Sequence, residues 1–216
     1  MSLRIGGVVL CGGKSSRMGL PKATLPFGDE LMLQRVVRLL GEVVSPIVVV
    51  SADKQTLPEL PDDVIVAHDR REGRGPLEGL FAGLLAAREH VDAVYATSCD
   101  VPLLATGFVK KMIEELTNFD VAVPIDGKFH HPLAAVYRTT VVPAIEELIT
   151  NDRMRPVFLF DAVNTNRVRV EQLKQADPSL HTLMNLNQPA DYQRAIELAG
   201  FELPDDVLRL LIANRK

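Results

Sequence analysis

Short apolar runs and amphipathic stretches take turns along the first 124 residues of this chain. Ile5–Cys11, Ile47–Ser51, Val64–Ala67, Ala93–Ser98 and Val121–Pro124 are apolar runs of strand length. Between them, Met32–Val43, Leu77–His90 and Gly107–Thr117 read as helices. In the first of these, Leu33, Val36, Val37 and Leu40 form an apolar stripe at helical spacing. This alternation predicts an α/β fold with three layers, α/β/α, around a Rossmann-like, mostly parallel sheet.

After Pro124 the pattern changes. Pro132–Tyr137 reads as a further strand and Val141–Thr150 as a helix. Asn166–Val170 reads as a strand that pairs antiparallel at an edge of the sheet. Gln188–Ala199 is a helix with Pro189 in its first turn, and Leu203–Ala213 is an amphipathic helix set to pack on the body or on a partner. There is no internal repeat and no low-complexity tract. The expectation is one domain over residues 1–216 with two differently built halves, 1–124 and 125–216.

Composition narrows the partners. The chain is 47% apolar and 24% charged with a net charge of −4 and a pI near 5.8, so no basic field points to nucleic acid or an acidic membrane. No apolar run is long enough to span a bilayer, and MSLRIGGVVL enters a strand with no room for the apolar core of a signal peptide. Cys11 and Cys99 are too few for a disulfide framework and lack metal-site spacing. A cytoplasmic protein with reduced thiols is expected.

Ligands of open α/β sheets bind beyond the carboxyl ends of the strands, and the chemistry-bearing residues cluster there. The stretch GGVVLCGGKSSRMGLPK, residues 6–22, runs from the first strand into a small cationic loop. A Walker A loop needs a glycine five residues before the Gly of Gly13-Lys14-Ser15, and Val8 stands there. The Rossmann G-x-G-x-x-G is also absent. Gly12 and Gly13 permit close backbone approach, while Lys14, Arg17 and Lys22 put three cations within nine residues. This combination suits a triphosphate, with the cations offsetting charge on the β- and γ-phosphates and on the α-phosphate during displacement.

Asp100 follows a strand too apolar to tolerate an unpaired carboxylate at its end. It suits Mg²⁺, which takes one or two carboxylates plus substrate phosphates; the alternative is an aspartate capping the helix after Pro102. Gly75-Pro76-Leu77-Glu78-Gly79 opens a helix after a loop carrying Arg70, Arg71 and Arg74, and the small Gly79 could face a base or ribose. The five histidines form no metal cluster. His130-His131-Pro132 precedes a strand, and His131 reads either as an acceptor contact or as part of a turn. Asn185 and Asn187 precede a helix, so they read as caps, as acceptor contacts or, for Asn187, as a second oxygen ligand. Cys11 and Cys99 close strands expected to be neighbours, either lying together beside the site or acting only as small buried apolar groups.

With these residues placed, the chain resembles the molybdenum cofactor guanylyltransferases, within the nucleotidyltransferases of glycosyltransferase-A type. The likeness rests on Leu10-Cys11-Gly12-Gly13-Lys14-Ser15-Ser16-Arg17-Met18-Gly19 with Lys22, on Gly75-Pro76-Leu77-x-Gly79, on Cys99-Asp100-x-Pro102, on His131-Pro132 and on Asn185-x-Asn187-x-Pro189. It spans residues 5 to about 195 in the expected order. The resemblance implies a nucleotide-diphospho-sugar transferase type of fold, with a nucleotide-binding first half and an acceptor-binding second half. It implies transfer of GMP from GTP to molybdopterin or its molybdenum-loaded form, with pyrophosphate released and Mg²⁺ as cofactor. Leu10, Cys11, Gly12, Gly13, Ser51, Asp69, Pro76, Leu77 and Gly79 would contact the nucleotide, Lys22 a phosphate, and Asp100 the metal. Cys11 stands where the family usually has alanine and Ser51 where asparagine is commoner. Molybdenum-cofactor delivery and acceptor proteins are the expected partners. The rivals are a transferase using CTP or a sugar phosphate, a binding module without turnover, and a Rossmann redox enzyme.

Overall fold

In the computed structural model, the described residues are 3–12, 18, 20–69, 74–203 and 207. The chain opens with β1 (Ile5–Leu10), the hairpin of β2 (Pro26–Phe27) and β3 (Glu30–Leu31), α1 (Met32–Gly41), β4 (Ile47–Ser51) and β5 (Ile65–His68). It continues with α2 (Pro76–Ala87), β6 (Ala93–Ser98), α3 (Thr106–Glu114), β7 (Val121–Asp126) and β8 (Phe129–His130). β9 (Ala135–Arg138), α4 (Val142–Thr150), α5 (Val157–Ala162), β10 (Thr165–Arg169), α6 (Val170–Leu173) and α7 (Pro189–Leu198) complete it. Of the helix expected over 203–213, only Leu203 and Val207 lie within the described residues, and Val207 is buried.

Among the described residues the central sheet has eight strands, ordered β10-β7-β9-β6-β1-β4-β5 with β8 paired to β7. The pairs β6–β1, β1–β4, β4–β5 and β10–β7 are parallel. Two expectations need correction. The edge strand β10 runs parallel to β7, and the antiparallel member of the path is β9, inside the sheet between β6 and β7. Chain connectivity is the reason. After β7 the chain turns back at Gly127, whose φ of +56° suits glycine, and this short return keeps β9 at the carboxyl edge, so it must run down the sheet. β9 ends beside the start of β6. Helices α4 and α5 then carry the chain out and back, so β10 starts level with the start of β7. The strand expected at Pro132–Tyr137 begins instead with a 3₁₀ turn, Pro132–Ala134, because Pro132 has no N–H to give a ladder.

Each face of the sheet is covered, giving the three layers. On one face Val8, Val50, Val94 and Val123 pack with α2, α4 and α5. On the other, Val9, Val49, Tyr95 and Ala122 pack with α1 and α3. Helix α2 approaches so closely that a Cβ on Gly83 would stand 2.5 Å from Val8 Cγ1. A third cluster joins the β2–β3 hairpin to α7 through Phe27, Tyr192, Ala195 and Ile196, with the Tyr192 hydroxyl donating to the Pro26 carbonyl. Arg35 lies over the Phe27 and Phe201 rings, 5.0 and 5.4 Å from their centroids, and its Nε donates to the Pro102 carbonyl at 2.8 Å. The segment after Asp100 is thereby tied to the segment after Lys22.

Candidate active site

The carboxyl ends of the central strands stop level. Leu10 is in register with Val50 on one side and Ser98 on the other, and Ser51 with His68. In an open α/β sheet such level ends border the crevice where ligands bind, and among the described residues three groups lie along it.

The first group surrounds Asp100. Its carboxylate is nearly buried, and it is held on both oxygens. Oδ1 accepts from the Ser98 hydroxyl and from Asn185 Nδ2 at 3.2 Å. Oδ2 accepts from Lys22 Nζ at 2.7 Å, and the same ammonium reaches Asn187 Oδ1 at 3.0 Å. The Lys22 and Asp100 side chains are only 15% and 13% exposed. Local structure accounts for each position. Lys22 opens a 3₁₀ turn whose Ala23 is anchored in the core. The Leu186 N–H donates to the Asp100 carbonyl at 3.0 Å while its side chain is fully buried. Asn185 and Asn187, on either side of it, therefore turn back toward Asp100 and Lys22. The capping alternatives do not describe these side chains: α3 starts at Thr106 after Ala105, and Gln188 is the N-cap of α7.

The second group surrounds Asp69, whose N–H donates to the Ser51 carbonyl at 3.1 Å. A Cβ on Gly12 would stand 3.1 Å from Asp69 Oδ2, and a Cβ on Gly79 3.1 Å from Oδ1 and 3.3 Å from the Leu10 methyls. Two glycines thus leave room for one carboxylate between the end of β1 and the first turns of α2. Pro76 is the exposed first residue of that helix and Leu77 is fully buried. Ser51 is fully buried, and its hydroxyl bonds His68 Nδ1 at 3.1 Å.

The third group flanks β7 and β9. The His131 N–H donates to the Pro124 carbonyl, and the Tyr137 hydroxyl to the Pro132 carbonyl at 2.7 Å. The Phe129 ring meets the His131 ring edge-on at 4.9 Å. Burial lowers the His131 pKa, and burial and the nearby Arg167 lower that of His130. Both rings favour the neutral form near neutral pH.

Gly13, Lys14 and Arg17, and with them Arg70 and Arg71, lie outside the described residues. Cys11 and Cys99 are both buried and neighbours. The hydrogen bond with Cys11, then burial, push the Cys99 thiol well above its ordinary range, which keeps it protonated and unreactive. Three residues were missed in the sequence. Ser98 clamps Asp100. Gln55 donates to the Cys11 carbonyl at 3.0 Å and accepts from the Ala52 N–H at 3.1 Å, bracing the ends of β1 and β4. Glu78 is buried in the first turn of α2, where an acid favours the helix dipole. None carries a local signal, since Ser98 and Glu78 are polar residues in or beside apolar runs and Gln55 sits in a polar loop.

An open sheet whose strand ends gather a buried lysine–aspartate pair and a glycine-walled niche belongs to the α/β enzymes that handle phosphorylated nucleotides. The family described as MobA-like NTP transferase domain matches residues 7–167. The chain belongs to that family and is a nucleotidyltransferase. It is 32% identical over 192 residues to a probable molybdenum cofactor guanylyltransferase of Carboxydothermus hydrogenoformans, covering 88% of this chain and 94% of that one. It is 36% identical over 196 residues to a probable molybdenum cofactor guanylyltransferase of Mycobacterium avium, again covering 88% and 94%. In fold it is similar to the molybdopterin-guanine dinucleotide biosynthesis protein A of Archaeoglobus fulgidus, with a TM-score of 0.74 at 20% identity over 91% of this chain and 98% of that one.

Proposed function

We propose that this protein transfers GMP from GTP to molybdopterin phosphate, or to its molybdenum-loaded form, and releases pyrophosphate. The observation that carries the reading is the Lys22 ammonium seated between Asp100 Oδ2 and Asn187 Oδ1. That seat is already a cation site made of hard oxygens. Among the described residues no cluster of three His, Cys, Asp or Glu could hold a metal. The two oxygens fit Mg²⁺, which draws most of its ligands from water and substrate phosphates. When bound, magnesium would offset charge on the α-phosphate and the departing pyrophosphate.

The chain's residues divide the remaining work. Lys22 contacts a phosphate, aided by Lys14 and Arg17, which precede it in the sequence. Leu10, Cys11, Gly12 and Gly13 contact the nucleotide, and Asp69 with Ser51, Pro76, Leu77 and Gly79 completes its pocket. His131, Pro132, Asn185 and Asn187 face the acceptor. The acceptor phosphate, with a second pKa near 6, is mostly dianionic at neutral pH and needs no general base. Transfer is therefore direct, without a covalent enzyme intermediate. The site's contribution is to let two anions meet. The reaction belongs in the cytoplasm, next to the proteins that deliver and receive the cofactor.

Purified protein incubated with molybdopterin, Mg²⁺ and each of the four nucleoside triphosphates tests the reading through pyrophosphate release. Release with GTP is expected. Preference for CTP, or turnover only with a sugar phosphate, would reassign the substrate.

A further inference from the structure

The two oxygens of Asp100 are not equivalent. Oδ1 takes two donors, Ser98 Oγ and Asn185 Nδ2, which fix the carboxylate plane from the end of β6 and from the segment before α7. Among the described residues, the Oδ2 partner is a cation, the Lys22 ammonium. The pair is largely shielded from water, so its attraction is stronger than on an open surface. An Mg²⁺ or Mn²⁺ ion bound to Oδ2 would sit about 2 Å from that oxygen. The ammonium nitrogen already lies 2.7 Å from the same oxygen and 3.0 Å from the other available one, Asn187 Oδ1. A divalent ion and an ammonium in that space would overlap and repel.

We propose that Asp100 Oδ2 is one cation seat used alternately by Lys22 and the divalent ion, with Ser98 and Asn185 as the positioning residues that hold the carboxylate for either occupant. This rests on the nucleotidyl-transfer reading and adds its regulation. Without nucleotide, Lys22 fills the seat and protects Asp100 from carrying an unpaired, mostly buried charge. A nucleotide triphosphate offers Lys22 a new anionic partner. Lys22 moves to it, and the seat opens to the metal. Metal and nucleotide therefore bind with positive coupling, reciprocal by linkage. The metal-free, nucleotide-free protein keeps a closed ion pair instead of an empty acidic pocket. Asn187, which touches the ammonium from the other side, turns its oxygen to whichever cation is present.

Mn²⁺ binding, read by electron paramagnetic resonance and calorimetry in the full chain with and without GTP, tests this. Lys22→Met keeps the length of the side chain and removes its charge without adding a metal-ligating oxygen. In the absence of GTP, Lys22→Met should bind Mn²⁺ about tenfold or more tighter than the wild type. Lys22→Arg, which keeps a cation in the seat, should show no such gain. Adding Mn²⁺ should also raise the melting temperature of Lys22→Met more than that of the wild type, a readout that needs no activity. Equal Mn²⁺ affinity of nucleotide-free wild type and Lys22→Met, with Mn²⁺ still binding in the presence of GTP, would overturn the shared seat and leave the transfer reading intact. No Mn²⁺ binding in any variant, even with GTP, would overturn both.

Discussion

The two flanks of the crevice are built by different means. On the β1–β4–β5 side, parallel strands stop level, and backbone and glycines shape the niche around Asp69. On the β7–β9 side, one strand is reversed, and the surface comes from a hairpin and a 3₁₀ turn held by individual hydrogen bonds, such as Tyr137 to Pro132. Between them stands the Lys22–Asp100 pair, which draws its partners from β6 and from the segment before α7. A niche made of backbone tolerates varied side chains but no added bulk. A surface made of side-chain contacts has the opposite sensitivity, and the two flanks can be separated on that basis.

The largest effect is expected at the centre. Asp100→Asn removes the charge that stands between the two flanks, and turnover should fall on the order of a hundredfold to a thousandfold, with GTP affinity changed far less; steady-state kinetics beside calorimetric GTP titration checks this. Next comes the first flank. Gly79→Ala places a Cβ 3.1 Å from Asp69 Oδ1 and 3.3 Å from Leu10. It should weaken GTP binding by about tenfold, the size of a modest overpacking cost, and leave the acceptor KM unchanged. Equal loss of both affinities would break the division between the flanks.

The second flank should answer in reverse. Tyr137→Phe deletes the hydroxyl that holds the Pro132 carbonyl, at a cost of about 1–2 kcal/mol. The acceptor KM should rise severalfold with GTP affinity intact, while thermal melting reports the loss of stability. The smallest expected effect is on acid stability. Burial holds His131 below its ordinary value of 6.5, and burial with Arg167 does the same for His130. For a histidine with a lowered folded pKa, the unfolded chain binds more protons on acidification, so stability is full above 6.5 and declines as the pH falls below it. His131→Gln should flatten that decline in melting scans across this window.

The same contrast governs what could be read from the sequence. The parallel half was legible because apolar runs ending in Gly12, Asp69 or Asp100 are local signals, and the level strand ends follow from the fold class. The direction of β9 was not legible, since alternation along a strand says nothing about which end the chain enters. β10 was placed at the sheet edge as expected, but its direction depended on the α4–α5 crossover, and α5 itself was hidden in a short apolar stretch. Asp100, Lys22, Asn185 and Asn187 were each legible as chemistry-bearing residues. Their meeting was not, because it joins positions 78 to 165 residues apart. Ser98 and Gln55 looked like ordinary members of a strand and a loop.

The central claim is that this crevice lets a guanine triphosphate and a second phosphate ester meet. Its most direct test is single-turnover transfer from GTP carrying a labelled α-phosphate, with Mg²⁺ and molybdopterin. The account predicts the label in a molybdopterin dinucleotide, none of it on the protein, and a rate that collapses in Asp100→Asn. Label retained covalently on the protein, or transferred equally well by Asp100→Asn, would contradict it.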